Sequence, residues 1–202
     1  MTEGILSYVV AAIGAYVLGS IPFGILVAKA LGEIDPRTSG SKNIGFTNVL
    51  RVSGKKAGAL TLLGDIGKGV LAAGTAQGLG APHPWVLIIG LSVVIGHIFS
   101  MFLGFKGGKG VATALGAVLG MEWFLGLCLF GIWIVTVAVF RYSSGGALAA
   151  FASFPILAYF LNGDLLLVLF SLGILGLIVY GHTDNISRLL KGAEPKIGKT
   201  AI

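Results

Sequence analysis

Long apolar stretches alternate with short polar ones along almost the whole chain. A helix needs roughly 20 residues to cross about 30 Å of hydrocarbon, and seven segments approach that length while holding few charges. The segments are 5–30, 57–79, 85–105, 110–121, 123–140, 145–161 and 165–180. The pattern predicts an all-α integral membrane protein, a bundle of about seven transmembrane helices.

The composition agrees with this fold class. Hydrophobic residues make up 55% of the 202 residues and charged residues only 11%, unlike a soluble domain of this length. The chain starts Met-Thr-Glu without a basic n-region, so the first segment is predicted to be a retained helix rather than a cleaved signal peptide. We predict a single integral domain over 1–202.

The basic residues predict the orientation of this bundle. Cytoplasmic loops carry the excess of Lys and Arg, and an external N-terminus puts every basic loop residue on the cytoplasmic side, together with the C-terminus. These residues are Arg37, Lys42, Arg51, Lys55, Lys56, Lys106, Lys109, Arg141, Arg188, Lys191, Lys196 and Lys199. The charges are spread over short loops without interleaved exposed aromatic residues, which argues against nucleic acid as a partner. Membrane lipid and anionic substrates fit the net charge of +6 better.

The first chemistry-bearing stretch is the polar loop 38–51, between two apolar segments. Its Ser, Thr and Asn side chains are neutral hydrogen-bond donors, its glycines let backbone amides converge, and its last residue is an Arg that can grip a phosphate at two points. The candidate phosphate-binding residues are Ser41, Asn43, Thr47, Asn48 and Arg51. A plain turn rich in Gly and Ser would have the same composition.

The second stretch is the glycine-rich loop 105–113, which leads into a predicted helix. Backbone amides at a helix start carry partial positive charge, and glycine lets a phosphate approach them closely. The candidates are Lys106, Gly107, Gly108, Lys109 and Gly110. The spacing is not that of a Walker A loop. A glycine hinge with lysines marking the inner surface is the alternative.

The third cluster follows the last apolar segment. His182, Asn185 and Arg188 are spaced three apart, so a continuing helix would present them on one face. Glu194 follows them, and Ser144 lies on the same predicted side of the membrane. A histidine at a membrane boundary can also be a simple interfacial residue.

Ionisable residues also fall inside the predicted segments, where charge is costly and commonly marks function. Asp65 and Lys68 are three apart and can pair, and His97 lies near the end of the third segment. We expect supporting roles, with Asp65 and Lys68 anchoring helices and His97 holding the Gly107 loop.

Taken together, these motifs resemble a known family. The 41–51 loop, the Gly-His and Phe-Lys-Gly-Gly-Lys-Gly-Val-Ala-Thr block, and His-x-x-Asn-Ile-x-Arg-Leu with a Glu downstream are similar to the signature regions of the bacterial acyl-phosphate:glycerol-3-phosphate acyltransferases, the PlsY family. The order and separation of the motifs match as well. One departure is Lys42, since the family usually reads Ser-Gly-Asn there. Ile44 and Phe46 also stand where small residues or Pro are common.

The resemblance implies transfer of a fatty acyl group from acyl phosphate to the 1-hydroxyl of sn-glycerol 3-phosphate, giving lysophosphatidic acid and phosphate in phospholipid synthesis. It implies Gly/Ser-rich active-site loops at the cytoplasmic face of the bacterial inner membrane, with no metal, cofactor or obligate protein partner. The implied catalytic residues are His182, Asn185 and Lys109. The implied binding residues are Ser41, Asn43, Thr47, Asn48, Arg51, Lys106, Gly107, Gly108, Gly110, Ser144 and Arg188, and the supporting ones are Asp65, Lys68, His97 and Glu194. Whether His182 or the substrate's own phosphate takes the hydroxyl proton stays open.

Two other functions fit parts of the pattern. A transporter of phosphorylated solutes would explain the basic loops, but it predicts charged groups near the midplane between repeated halves. An enzyme that acts on nucleotide-activated lipids would need clustered intramembrane aspartates for metal, and Asp65 is the only Asp in mid-segment.

Overall fold

The computed structural model describes residues 2–197, with side chains placed from residue 4 onward. Within this range the regular structure is helical and contains no strand, which confirms the all-α prediction. The helices are α1 Thr2–Ser20, α2 Phe23–Ala30, α3 Phe46–Gly78, α4 His83–Ile98, α5 Val111–Met121, α6 Trp123–Phe140, α7 Ser143–Asn162, α8 Leu165–Gly181 and α9 Thr183–Leu190, with a short 3-10 turn at Met101–Leu103. Lys199, whose side of the membrane the sequence predicts, lies outside the described residues.

The chain forms two compact units, Met1–Trp123 and Phe124–Ile202, called here the N-terminal and C-terminal units. The first contains α1 to α5 and the second contains α6 to α9. A single integral domain over 1–202 stays a prediction.

Several helices are suited to cross a bilayer. By length and apolar character, three stretches of the described chain qualify alone, namely His83–Leu103, α6 and α7. Two bent pairs raise the number to five: α1 with α2, bent by 44°, and α8 with α9, bent by 67°. The 11 residues of α5 rise only about 16 Å, well short of the hydrocarbon thickness. Seven crossings therefore stay a prediction.

The helix boundaries correct two expectations from the sequence. The apolar segment 5–30 is broken between Ser20 and Phe23, where Pro22 cannot donate a backbone hydrogen bond. The polar loop 38–51 ends early, because α3 begins at Phe46 and a non-helical Gly54 then kinks it. Val49, in this first part of the helix, is fully buried.

Small residues let α3 and α5 of the N-terminal unit approach closely. A Cβ on Gly116 would collide with the carbonyl oxygen of Ile66, and one on Gly120 would meet the backbone of Gly74. Two small residues spaced four apart on one helix are typical of close helix packing in membranes. The contact fixes the position of α5 and therefore of the glycine-rich loop before it.

The C-terminal unit is built around aromatic side chains of α7 and α8. The rings of Phe151 and Phe154 meet edge to face at 6.2 Å, and those of Phe154 and Phe170 at 6.1 Å. The last apolar segment does not continue as one straight helix through Arg188, since α8 ends at Gly181 and α9 turns away by 67°. The bend places His182 between the two helices.

Candidate active site

Asn48 organises the first polar loop of the N-terminal unit. Its amide nitrogen donates to the carbonyl oxygens of Pro36, Ser39 and Asn43 at 2.9, 3.2 and 2.9 Å, and its amide oxygen accepts from the Ser41 backbone N–H at 2.8 Å. The residue is only 2% exposed, on the first turns of α3. Its polar atoms are therefore turned into the loop, so Asn48 shapes the loop from inside.

The remaining candidates of this loop lie nearer the surface. Ser41 and Arg51 are exposed, whereas Asn43 is half-buried and accepts the Gly45 backbone N–H at 2.8 Å. Thr47 is also half-buried, in the first turn of α3. The loop thus offers an exposed hydroxyl and an exposed guanidinium on a backbone fixed from inside.

The glycine-rich loop is tied to the end of α4. Gly107 donates its backbone N–H to the carbonyl oxygen of Ile98 at 2.9 Å, and Gly108 donates to that of His97 at 3.0 Å. These two amides point at α4, which differs from the predicted phosphate cradle of glycine amides.

The hydrogen-bond donors that can bind an anion in this region come after Gly108, at the start of α5. Gly110 adopts a left-handed conformation, with φ of 83°, at the N-cap of α5. The first N–H groups of α5, starting at Val111, have no acceptor within the helix and carry its positive dipole end. Lys106 is exposed and Lys109 is half-buried beside them.

Asp65, Lys68 and His97 form a buried ionic cluster. The Lys68 Nζ lies 2.9 Å from the Asp65 Oδ1, which confirms the predicted pairing, and the His97 Nδ1 lies 3.4 Å from the same oxygen. All three side chains are at most 4% exposed. Among residues 2–197, no group of three His, Cys, Asp or Glu side chains is arranged to hold a metal ion.

Glu194 accepts hydrogen bonds from three candidate site residues of the C-terminal unit. One carboxylate oxygen accepts from the Ser144 Oγ and the Asn185 Nδ2, each at 2.6 Å, and the other accepts from the Arg188 Nε at 2.7 Å. Burial raises the pKa of Glu194, but these three hydrogen bonds and the Arg188 charge outweigh it and hold the pKa below its ordinary value. The carboxylate is therefore ionised at neutral pH.

His182 is buried, with 2% exposure, at the bend between α8 and α9. Its Nδ1 lies 2.7 Å from the carbonyl oxygen of Ile178. A carbonyl oxygen only accepts, so Nδ1 carries a proton in this contact. The contact with Ile178 therefore fixes the orientation of the imidazole at the bend.

The segment that carries Glu194 is held in place by contacts that no sequence pattern indicated. The guanidinium of Arg141 donates to the carbonyl oxygen of Ile197 at 2.9 Å, and the Ile197 backbone N–H donates to that of Arg141 at 2.8 Å. Lys196 lies over the ring of Tyr142 at 5.4 Å. Residues 193–197, called here the C-terminal strap, are fixed by these contacts to the turn between α6 and α7.

Known proteins are similar to this chain over more than nine-tenths of its length. The family model named Glycerol-3-phosphate acyltransferase matches residues 9–192. The chain belongs to this family. Among the glycerol-3-phosphate acyltransferases, the protein of Jannaschia sp. is 49% identical, covering 93% of this chain and 91% of that one. The protein of Methylococcus capsulatus is 46% identical over 91% of this chain and 93% of that one.

Solved structures of PlsY, an integral membrane glycerol 3-phosphate acyltransferase, have the same fold. The glycerol 3-phosphate form superposes with a TM-score of 0.90 at 39% identity, covering 95% of this chain and 96% of that one. The lysophosphatidic acid form gives 0.88 at 38% identity over the same shares. With its apolar helices, the chain is therefore an integral membrane protein of the PlsY family.

Proposed function

We propose that the protein transfers a fatty acyl group from acyl phosphate to the 1-hydroxyl of sn-glycerol 3-phosphate. The products are lysophosphatidic acid and inorganic phosphate, in the first acylation of phospholipid synthesis. The proposal is carried by the likeness, over 95% of the chain, to a PlsY enzyme solved in a glycerol 3-phosphate form and a lysophosphatidic acid form. The two ligands differ by one acyl group, as the substrate and the product of an acyl transfer do.

The chemistry suits a site without a metal or cofactor. The hydroxyl oxygen attacks the acyl carbonyl carbon, the bond from that carbon to the phosphate oxygen breaks, and phosphate leaves with the electron pair. Acyl phosphate is already activated, so the work of the enzyme is alignment and charge stabilisation, which together supply roughly 7–11 kcal/mol.

The N-terminal unit supplies phosphate contacts in this proposal. Arg51 and the Ser41 hydroxyl are exposed beside the loop that Asn48 shapes, and Asn43 and Thr47 complete this group of ligands. Lys106, Lys109 and the N-terminal amides of α5 stabilise the charge on the leaving phosphate, with Gly107, Gly108 and Gly110 giving the loop its path.

The C-terminal unit supplies the groups that act on the hydroxyl. His182 is proposed as the base, because Nδ1 donates to the Ile178 carbonyl oxygen and a neutral imidazole accepts protons at its other nitrogen. Asn185 orients the hydroxyl, and Ser144 and Arg188 contact the glycerol phosphate. Glu194 fixes all three of these side chains in one arrangement.

We further propose the bacterial inner membrane as the location, with seven crossings, an external N-terminus and a cytoplasmic C-terminus and active site. The arrangement is supported by the positions of the Lys and Arg residues, because it places every basic loop residue on one side of the membrane. No obligate protein partner is needed for the reaction.

Donor identity is the test of this proposal. Purified protein in detergent is supplied with glycerol 3-phosphate and either acyl phosphate or acyl-CoA of the same chain, and the products are identified by mass spectrometry. We expect 1-acyl lysophosphatidic acid when acyl phosphate is the donor and none when acyl-CoA is the donor. Product from acyl-CoA alone, or none from either donor, would contradict it.

A further inference from the structure

The break between α1 and α2 leaves backbone carbonyl groups that need partners inside the helical bundle. The Ile21 carbonyl oxygen accepts from the Lys68 Nζ at 3.0 Å, and the Ser20 carbonyl oxygen accepts from the Ser100 Oγ at 2.6 Å. Lys68 belongs to α3, so a side chain of one helix holds the irregular backbone of another.

Lys68 is also connected to the glycine-rich loop, through contacts with the side chains of Asp65 and His97. It pairs with Asp65 at 2.9 Å, and the same carboxylate oxygen lies 3.4 Å from the His97 Nδ1. A buried ion pair costs desolvation and is a weak source of stability. Its position between two irregular backbone segments therefore points to a positional role.

His97 contacts the loop with both its backbone and its ring. Its carbonyl oxygen accepts the Gly108 N–H at 3.0 Å. The ring lies against the same glycine, since a Cβ on Gly108 would collide with the Nε2 of His97. One edge of the imidazole thus faces Asp65 and the other faces Gly108.

We propose that Lys68, Asp65 and His97 act as one buried positioning relay that sets the glycine-rich loop from the α1–α2 break. The relay runs from the Ile21 carbonyl through Lys68 and Asp65 to the ring and backbone of His97, and from there to Gly107 and Gly108. Its effect on catalysis rests on the proposed function, in which this loop and the start of α5 contact the leaving phosphate.

The experiment replaces both charges at once, as D65N/K68M, so that neither is left buried without its partner. Hydrogen exchange of the Gly107 and Gly108 amides is measured in detergent, with KM and kcat for acyl phosphate. We expect exchange at least about tenfold faster and a KM about tenfold higher, with kcat within about threefold. His97→Gln removes the ring between Asp65 and Gly108. We expect it to accelerate hydrogen exchange of the same amides, and its KM and kcat are measured in the same way.

Thr61→Val is the matched control. Thr61 is equally buried on α3, its hydroxyl donates to the Ala57 carbonyl oxygen at 2.8 Å, and Val keeps its shape. We expect unchanged loop exchange in this variant. Equal acceleration in Thr61→Val, or unchanged exchange in either relay variant, would overturn the relay. Faster exchange with unchanged KM would support the relay and instead contradict the phosphate role proposed for the loop.

Discussion

Individual side chains here act as hydrogen-bond donors and acceptors whose partners decide what they can do. Asn48 and Glu194 are the two organisers: one shapes a loop from inside, and the other holds Ser144, Asn185 and Arg188 on one carboxylate. The sequence identified these residue types as polar candidates. It could not distinguish an organising residue from a ligand contact, because that depends on which way each polar atom points.

His182 provides the first test at this scale. If Nε2 takes the hydroxyl proton, His182→Ala lowers kcat by about 100-fold or more while KM changes less than about threefold. Steady-state kinetics with glycerol 3-phosphate as the varied substrate measures both. A large rise in KM with kcat preserved would show that the histidine binds substrate and that a phosphate oxygen takes the proton.

Lys42 has a strained backbone conformation. Its φ of 57° is left-handed, which costs an L-residue about 1 kcal/mol that glycine avoids. Lys42→Gly is therefore expected to raise the thermal midpoint. Lys191→Gly is the control, since Lys191 has a φ of -88° and gains nothing from glycine. Equal shifts in both variants would argue against strain at Lys42.

Glu194 makes stability depend on pH. Its pKa is lowered in the folded protein, so the stabilisation is present above its unfolded pKa of about 4.3 and is lost as the pH falls through the lower folded value. Glu194→Gln should therefore lower the thermal midpoint at pH 7 and differ little from the parent well below pH 4.3. A gap between the two proteins that stayed constant over this range would contradict the linkage.

At the scale of the helices, close approach of α3 and α5 positions the glycine-rich loop. Gly116→Ala is expected to destabilise the protein, because the new Cβ meets the Ile66 backbone. Gly173→Ala is the control, since Gly173 on α8 has open space around it and alanine favours a helix by roughly 0.5–1 kcal/mol. Thermal unfolding of the two variants should shift in opposite directions. A shift of both unfolding midpoints in the same direction would contradict the packing explanation.

Helix periodicity and length could be read from the sequence, while breaks could not. The apolar pattern located both ends of α5 to α8 within two residues, whereas the predicted segment 85–105 ran past the end of α4 at Ile98. It missed the break at Pro22. It also missed the early start of α3, because the polar residues between Phe46 and Ala57 hide this part of the helix from a search for apolar segments. It also missed the 67° bend after Gly181, where the spacing of His182 and Asn185 fits either a straight or a bent helix.

The whole molecule is an integral membrane protein whose orientation is tested by labelling. In a Cys128→Ser background, single cysteines at Lys42, Lys106 and Lys191 should react with an impermeant reagent only from the cytoplasmic side, and one at Asp164 only from outside. These four positions are exposed or half-buried in the structure. Lys42, Lys106 and Lys191 reacting from different sides would contradict the orientation.

The most direct test of the proposed activity is the dependence of phosphate release on the acceptor. Purified protein is incubated with acyl phosphate, with and without glycerol 3-phosphate, and free phosphate is measured together with lysophosphatidic acid. The proposed transfer predicts release that requires glycerol 3-phosphate, with one phosphate formed for each lysophosphatidic acid. Release that is unaffected by glycerol 3-phosphate, or no release at all, would contradict it.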